Sequence, residues 1–154
     1  MLALLLALQL SSELAFPPAV LNLARVMSES TEGKAAIAKF EAARLEREKN
    51  LSSKRSEIQV LIEKKAAAAT VERTQVELKR LTEDAEVQLT ELERALQVDF
   101  FKKVEPLVIQ IVNEDKLGIL FTLPNPLIVW TGPSVDITTK VIQRLDAAIK
   151  NSLK

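Results

Sequence analysis

KAAIAKFEAARLEREKNLSSKRSEIQVLIEKKAAAATVERTQVELKRLTEDAEVQLTELERALQVDFFKKVE, residues 34–105, decides the fold. The stretch contains no Gly and no Pro, and from Glu41 to Asp99 no aromatic residue. Its Ala, Leu, Glu, Lys, Arg and Gln are the strong helix formers. Globular helices average about 11–12 residues, so a breaker-free run of this length predicts either one rod of more than about 100 Å or a rod folded back on itself. All three glycines and all six prolines lie outside it.

Outward from this stretch, the two flanks are apolar, β-branched and punctuated by Pro and Gly. The 154 residues suffice for one domain. The charged middle buries little, so the core must come from the flanks. A small core carrying a long helical element is marginal as a monomer, which argues for oligomerisation.

Lys plus Arg and Asp plus Glu both number 21, a formal net charge of zero. Bulk electrostatics therefore gives no basis for nucleic-acid binding. There is no His and no Cys, so the usual general base and the usual zinc and thiol ligands are missing. Carboxylates abound on the helical stretch, where a charge run is a solvated face. Asp99, Glu105, Asp115 and Asp136 flank the core without a spacing that pairs an acid with a base. No Gly-rich phosphate loop occurs. The expectation is a non-enzyme with no cofactor and no metal.

Met1 to Leu10 is an apolar run too short to span a bilayer. It fits the h-region of a secretory signal peptide, or else a short apolar helix docked on the core. Phe16-Pro17-Pro18-Ala19 reads as neither helix interior nor central strand. Val20-Leu21-Asn22 suits a short strand, and Leu23 to Met27 a helical turn. Ser28 to Glu32 is rich in N-capping types.

Within the long stretch, strict heptads place Ile37, Arg44, Leu51, Ile58 and Lys65 at one position and Phe40, Arg47, Lys54 and Leu61 at the other. Nearly half are charged, so this half is no tight zipper. The second half is better patterned: Leu78, Leu81, Ala85, Leu89, Leu92, Leu96, Phe100, Val104, Leu107 and Ile111 step by threes and fours. Between the halves, Lys64 to Val71 carries no turn residue, so a straight rod stays open. Pro106 should kink the helix.

Beyond it, Leu117 to Leu123 and Leu127 to Thr131 suit two strands joined at Pro124-Asn125-Pro126 as a hairpin, with Trp130 and Phe121 in the core. Gly132-Pro133-Ser134 breaks the second strand. Asp136 suits the cap of a last helix whose Ile137, Val141, Leu145 and Ile149 recur every fourth residue.

Three segments together resemble the Skp/OmpH family of periplasmic chaperones. Val20-Leu21-Asn22-Leu23-Ala24-Arg25-Val26-Met27-Ser28-Glu29-Ser30 with Glu32-Gly33-Lys34 is similar to its opening strand and turn. Val98 to Val108 is similar to the return of its long hairpin. Leu127 to Trp130 and Val135 to Thr138, with Val141 to Leu145, are similar to its closing strand and helix. The resemblance spans Val20 to the C-terminus and rests on the order of all three segments. It departs from the family in its neutral charge and in a tip without glycine.

The resemblance implies an α+β subunit: a long antiparallel helical hairpin, a coiled-coil arm, projecting from a small β-strand-containing trimerisation body. It implies a reversal near Ala66 to Val71, a homotrimer, and ATP-independent holding of unfolded outer-membrane proteins in the periplasm. Transient contact with a membrane surface is a further expected partner. On this reading residues 1–15 are a signal or apolar segment, 16–33 and 107–154 the body, and 34–106 the arm. Val20, Leu21, Ile119, Phe121, Ile128, Val129 and Trp130 belong to the trimer body. Leu51, Ile58, Leu61, Ile62, Val76 and Leu78 have two readings: the seam between the two helices, or apolar surface offered to a client. The rival function is a structural coiled-coil stalk, as in the peripheral stalk of a rotary ATPase, which also joins an apolar N-terminus to a long Ala- and Glu-rich helix.

Overall fold

The structure, a computed structural model, describes residues 16–124, 128, 130, 132 and 136–152. The apolar Met1–Leu10 run and most of the 125–135 segment lie outside the described residues. The element order is β1 (Pro18–Asn22), α1 (Leu23–Glu29), α2 (Thr31–Glu63), α3 (Ala68–Glu114), β2 (Ile119–Leu123) and α4 (Thr138–Ser152). The fold is α+β, with a long antiparallel helical hairpin and a small sheet. Two compact units form: Gly33–Lys102 is one, and the described residues up to Glu32 with those from Lys103 onward are the other.

In the second of these units β1 is the hub. It pairs with β2 in parallel, Pro18 opposite Ile119 through Asn22 opposite Leu123. On its other side Val20 bridges Asp136, and the Ile137 amide donates to the Val20 carbonyl at 3.0 Å. Ala19, Val20 and Leu21 are all buried, as expected of a parallel strand covered on both faces. A parallel pair needs a long crossover, here everything from α1 through the end of α3.

One expectation fails here. The Pro17-Pro18-Ala19 segment enters a central strand after all, because Pro18 takes its first position, where its missing N–H costs nothing. Of the expected hairpin, Leu127, Val129 and Thr131 lie outside the described residues and Ile128 and Trp130 are in no strand, while Leu117–Leu123 supplies β2, which pairs with β1. Gly118 at the entry to β2 allows the close approach this needs. Its amide donates to the Pro17 carbonyl at 3.1 Å, and a Cβ there would collide with the Phe16 Cβ.

Side-chain caps fasten the helices to the sheet. Asn22 Oδ1 accepts from the Arg25 amide at 3.0 Å and starts α1. Asp136 Oδ1 accepts from the Thr138 amide at 2.8 Å and starts α4, and Thr138 Oγ1 in turn accepts from the Asn22 amide at 2.9 Å. The first amide of α2, on Thr31, donates to Asp146 of α4 at 2.8 Å, so a carboxylate sits at the positive end of a 33-residue helix. Val26, Val104, Ile111, Ile137, Val141 and Leu145 complete the core of this unit. Lys103 pairs with Glu32, Lys140 with Asp115, and Arg144 with Glu114.

Both long helices end in the same device, and neither end carries glycine. At the end of α2 the Ala66 amide donates to the Leu61 carbonyl and the Lys65 amide to that of Ile62, with Lys65 at φ +52. At the end of α3 Leu117 donates to Val112 and Lys116 to Asn113, with Lys116 at φ +52. Each is a Schellman motif whose left-handed position is held by Lys instead of Gly. The first makes the reversal at Lys64–Ala67, which removes the straight-rod alternative. Pro106 does not break α3, which runs through it to Glu114; Pro106 is exposed.

A left-handed Lys is strained relative to Gly, so Lys65→Gly should stabilise the chain by about 0.5–1 kcal/mol, read as an upward shift in urea midpoint; a downward shift contradicts the assignment of the tip. The Arg144 guanidinium hydrogen-bonded to Glu114 holds that carboxyl below its usual 4.5. The folded pKa is depressed, so the stability it contributes is present above about pH 4.5 and lost as pH falls through the folded value. Glu114→Gln should therefore flatten the acid limb of the melting-temperature profile below that pH, and an unchanged limb counts against the pair.

Candidate interaction surfaces

In the Gly33–Lys102 unit the two helices run antiparallel. Lys54 Nζ meets Glu77 at 3.0 Å, and seven residues earlier Arg47 donates to Gln88 Oε1 at 3.0 Å, eleven residues further on. Along the seam face of α2 the positions withdrawn from water are Ala36, Phe40, Ala43, Arg47, Leu51, Lys54, Ile58 and Leu61, with Gly33 and Glu41 withdrawn beside them. Their steps are threes and fours, with two successive fours around Arg47. The seam therefore begins on one heptad register and changes position between Arg47 and Leu51, which a strict heptad could not anticipate. On α3 the withdrawn positions are Thr74, Leu78, Thr82, Ala85, Leu89, Leu92, Leu96 and Phe100. Leu81 is exposed and Thr82 takes its place, its hydroxyl donating to the Leu78 carbonyl at 2.9 Å.

The seam is thin and partly polar. Arg47 reaches the Ala43 carbonyl and Gln88, while its Nε is buried without a partner among the described residues. Lys54 keeps its charge by hydrogen bonds to Glu57 and then Glu77, which raise its pKa. Such a seam holds register through a few apolar anchors. Leu51 and Ile58, each 9% exposed, are two of them. Leu61 and Leu78 are half-buried beside them. Ile62 and Val76 face water at 51% and 62% exposure, as do Leu45, Val60 and Val87. The six residues singled out in the sequence thus divide: four line the seam to some degree and two stand outside it. Sequence alone missed Leu45, Val60 and Val87 as exposed, although each lies off the three-and-four face.

The sheet offers a second apolar surface. Val20 and Leu21 are buried, whereas Ile119 and Phe121 on β2 are exposed. Ile128 is half-buried, Val129 lies outside the described residues, and Trp130 is 82% exposed. Trp130 is therefore not a core residue of the single chain; within one subunit nothing described covers its indole. With Pro18, Ala19, Val20, Phe121, Ile128 and Gly132 it lines an open apolar recess. Among the described residues β2 has only β1 as a neighbouring strand.

Two of the carboxylates flanking the core have structural partners. Asp115 pairs with Lys140, and Asp136 caps α4 and lies 3.6 Å from Arg25. Among the described residues no three acidic side chains gather as a metal site, and no helix is long and apolar enough to cross a membrane.

None of the curated proteins matches the chain in sequence. A crystal structure of a candidate OmpH-like outer membrane chaperone from Caulobacter crescentus CB15 is similar in fold, with a TM-score of 0.62, 20% identity and 88% of each chain covered. The family model described as outer membrane protein (OmpH-like) matches residues 18–145. The match runs from the first residue of β1 into α4, so the chain belongs to the OmpH-like outer membrane protein family.

Proposed function

We propose that this chain is an ATP-independent holdase chaperone of the periplasm that binds unfolded outer-membrane proteins and keeps them from aggregating. The observation that carries the reading is a long helical hairpin with apolar side chains left in water, among them Leu45, Ile62 and Val76, set between charges of both signs. A surface of scattered apolar contacts binds many sequences weakly, because no single register is demanded of the bound chain. Family membership and the fold shared with a candidate outer membrane chaperone support it. Holding a client needs no acid–base chemistry.

The working form is a homotrimer. The exposed Ile119 and Phe121 and the open recess beside Trp130 form one apolar area that other copies of the sheet would cover. A stalk subunit, the rival reading, requires no such sheet; the parallel β1–β2 pair and its packing against α4 favour the chaperone.

Seam and surface residues should separate in the test. Ile62→Gln with Val76→Gln should leave helix content and mass unchanged and reduce suppression of aggregation of an unfolded outer-membrane protein several-fold. Wild-type suppression by that variant would sink the surface reading. Leu51→Asp with Ile58→Asp should instead open the hairpin, at a cost of roughly 4 kcal/mol or more, because both side chains are buried. A melting temperature within a degree of wild type would show that the two residues are not anchors.

A further inference from the structure

Three side chains in one stretch of the seam each lack what their chemistry calls for. The Arg47 Nε is buried without a partner among the described residues, while the rest of its guanidinium donates to the Ala43 carbonyl at 3.2 Å and to Gln88 Oε1 at 3.0 Å. A buried N–H left unbonded costs free energy that a solvated one does not. Asp84 lines the same groove as Arg47, and its carboxylate has no ion pair or hydrogen bond among the described residues. Leu81 borders that groove beside Leu51 and Ala85, yet it is 39% exposed. An arginine without a carboxylate, a carboxylate without a cation and a leucine in water thus stand together where the seam changes register.

At 3.6 residues per turn, Leu81 and Thr82 lie about 50° to either side of the line from Leu78 to Ala85. Thr82 is the one turned toward the seam. It can give up that place without losing a bond, because its hydroxyl is already held within α3 by the Leu78 carbonyl.

We propose that this part of the seam has a second packing, reached by a small roll of α3. Leu81 enters the groove against Leu51 and Ala85, Thr82 moves out, and Arg47 leaves the seam to pair with Asp84 at the surface. One exchange relieves all three defects. The lost Arg47–Gln88 bond opposes it, so the two packings lie close in free energy, and a close-packed seam passes between them as discrete states. The exchange also changes the outer surface. Leu81 shares an outer recess with Val76, between Arg73 and Arg80, and that recess loses its leucine when Leu81 turns inward. Resting on the holdase reading, a bound unfolded chain holds Leu81 outward and selects the described packing, whereas the client-free hairpin withdraws part of its apolar surface.

Backbone amide relaxation dispersion on the 154-residue chain without client reads the exchange directly. Residues 47–51 and 81–85 should show millisecond exchange with a second state of a few per cent. Asp84→Ala takes away the alternative partner of Arg47, and Arg47→Leu removes the buried N–H. Each should lower the exchange contribution at 81–85 by about threefold or more, with helix content unchanged by circular dichroism. An Asp84 that is merely solvated would leave that contribution untouched. An added unfolded outer-membrane protein should flatten the same profiles. Flat profiles in the client-free chain, or exchange that Asp84→Ala leaves unchanged, would overturn the second packing. Exchange that persists with client bound would overturn its coupling to the client. Suppression of aggregation is measured separately, so its absence tells against the holdase reading and not against the exchange.

Discussion

Everything in the subunit that is not the hairpin depends on the pairing of β1 with β2. Two five-residue strands drawn from distant parts of the chain lie side by side in parallel, and parallel pairing permits no tight turn. The intervening residues must leave the sheet and come back. The long hairpin is what leaves and returns, and α1 and the last turns of α3 are its two junctions with the strands. On the far side of β1, the Val20–Asp136 bridge brings in α4, whose Asp146 then caps α2. The sheet itself is too small to stand alone. Its stability comes from the helices packed around β1 and, in the proposed assembly, from other copies of the sheet.

The hairpin solves a different problem. It must stay extended without a core of its own. Each fully buried Leu or Ile contributes about 1.5–3 kcal/mol, and the seam spends such anchors sparingly, with Arg47 and Lys54 standing where a tight zipper would place apolar side chains. Local helix propensity supplies the rest. The consequence is a surface on which Leu45, Val60, Ile62, Val76 and Val87 stay in water.

Local pattern made much of this legible. The three-and-four spacing on α3 and the four-residue steps of α4 mark faces that the structure withdraws from water, with Leu81 the exception because Thr82 fits the shifted seam. β2 was legible as a strand. Its parallel register against β1 was not, because pairing is a relation between distant segments. The reversal at Lys65 was invisible for a related reason: the left-handed position is normally signalled by glycine, and here the hydrogen bonds of the motif hold a lysine in it. Trp130 misled most plainly. A large indole in an apolar run looks like core, but sequence does not say whether the cover comes from the same chain or another. The division of Leu51 and Ile58 from Ile62 likewise needed coordinates, since the seam register on α2 shifts near Arg47, and Val76 stands off the seam face of α3.

Trp130 is the only tryptophan in the chain, which makes the central claim directly readable. Its emission should be followed across a dilution series together with the mass in solution. If copies of the sheet close over one another, the assembled protein weighs about three times 17.1 kDa, its emission is blue-shifted, and both the shift and the mass are lost together on dilution. A single-chain mass with the emission of a water-exposed indole at every concentration would contradict it.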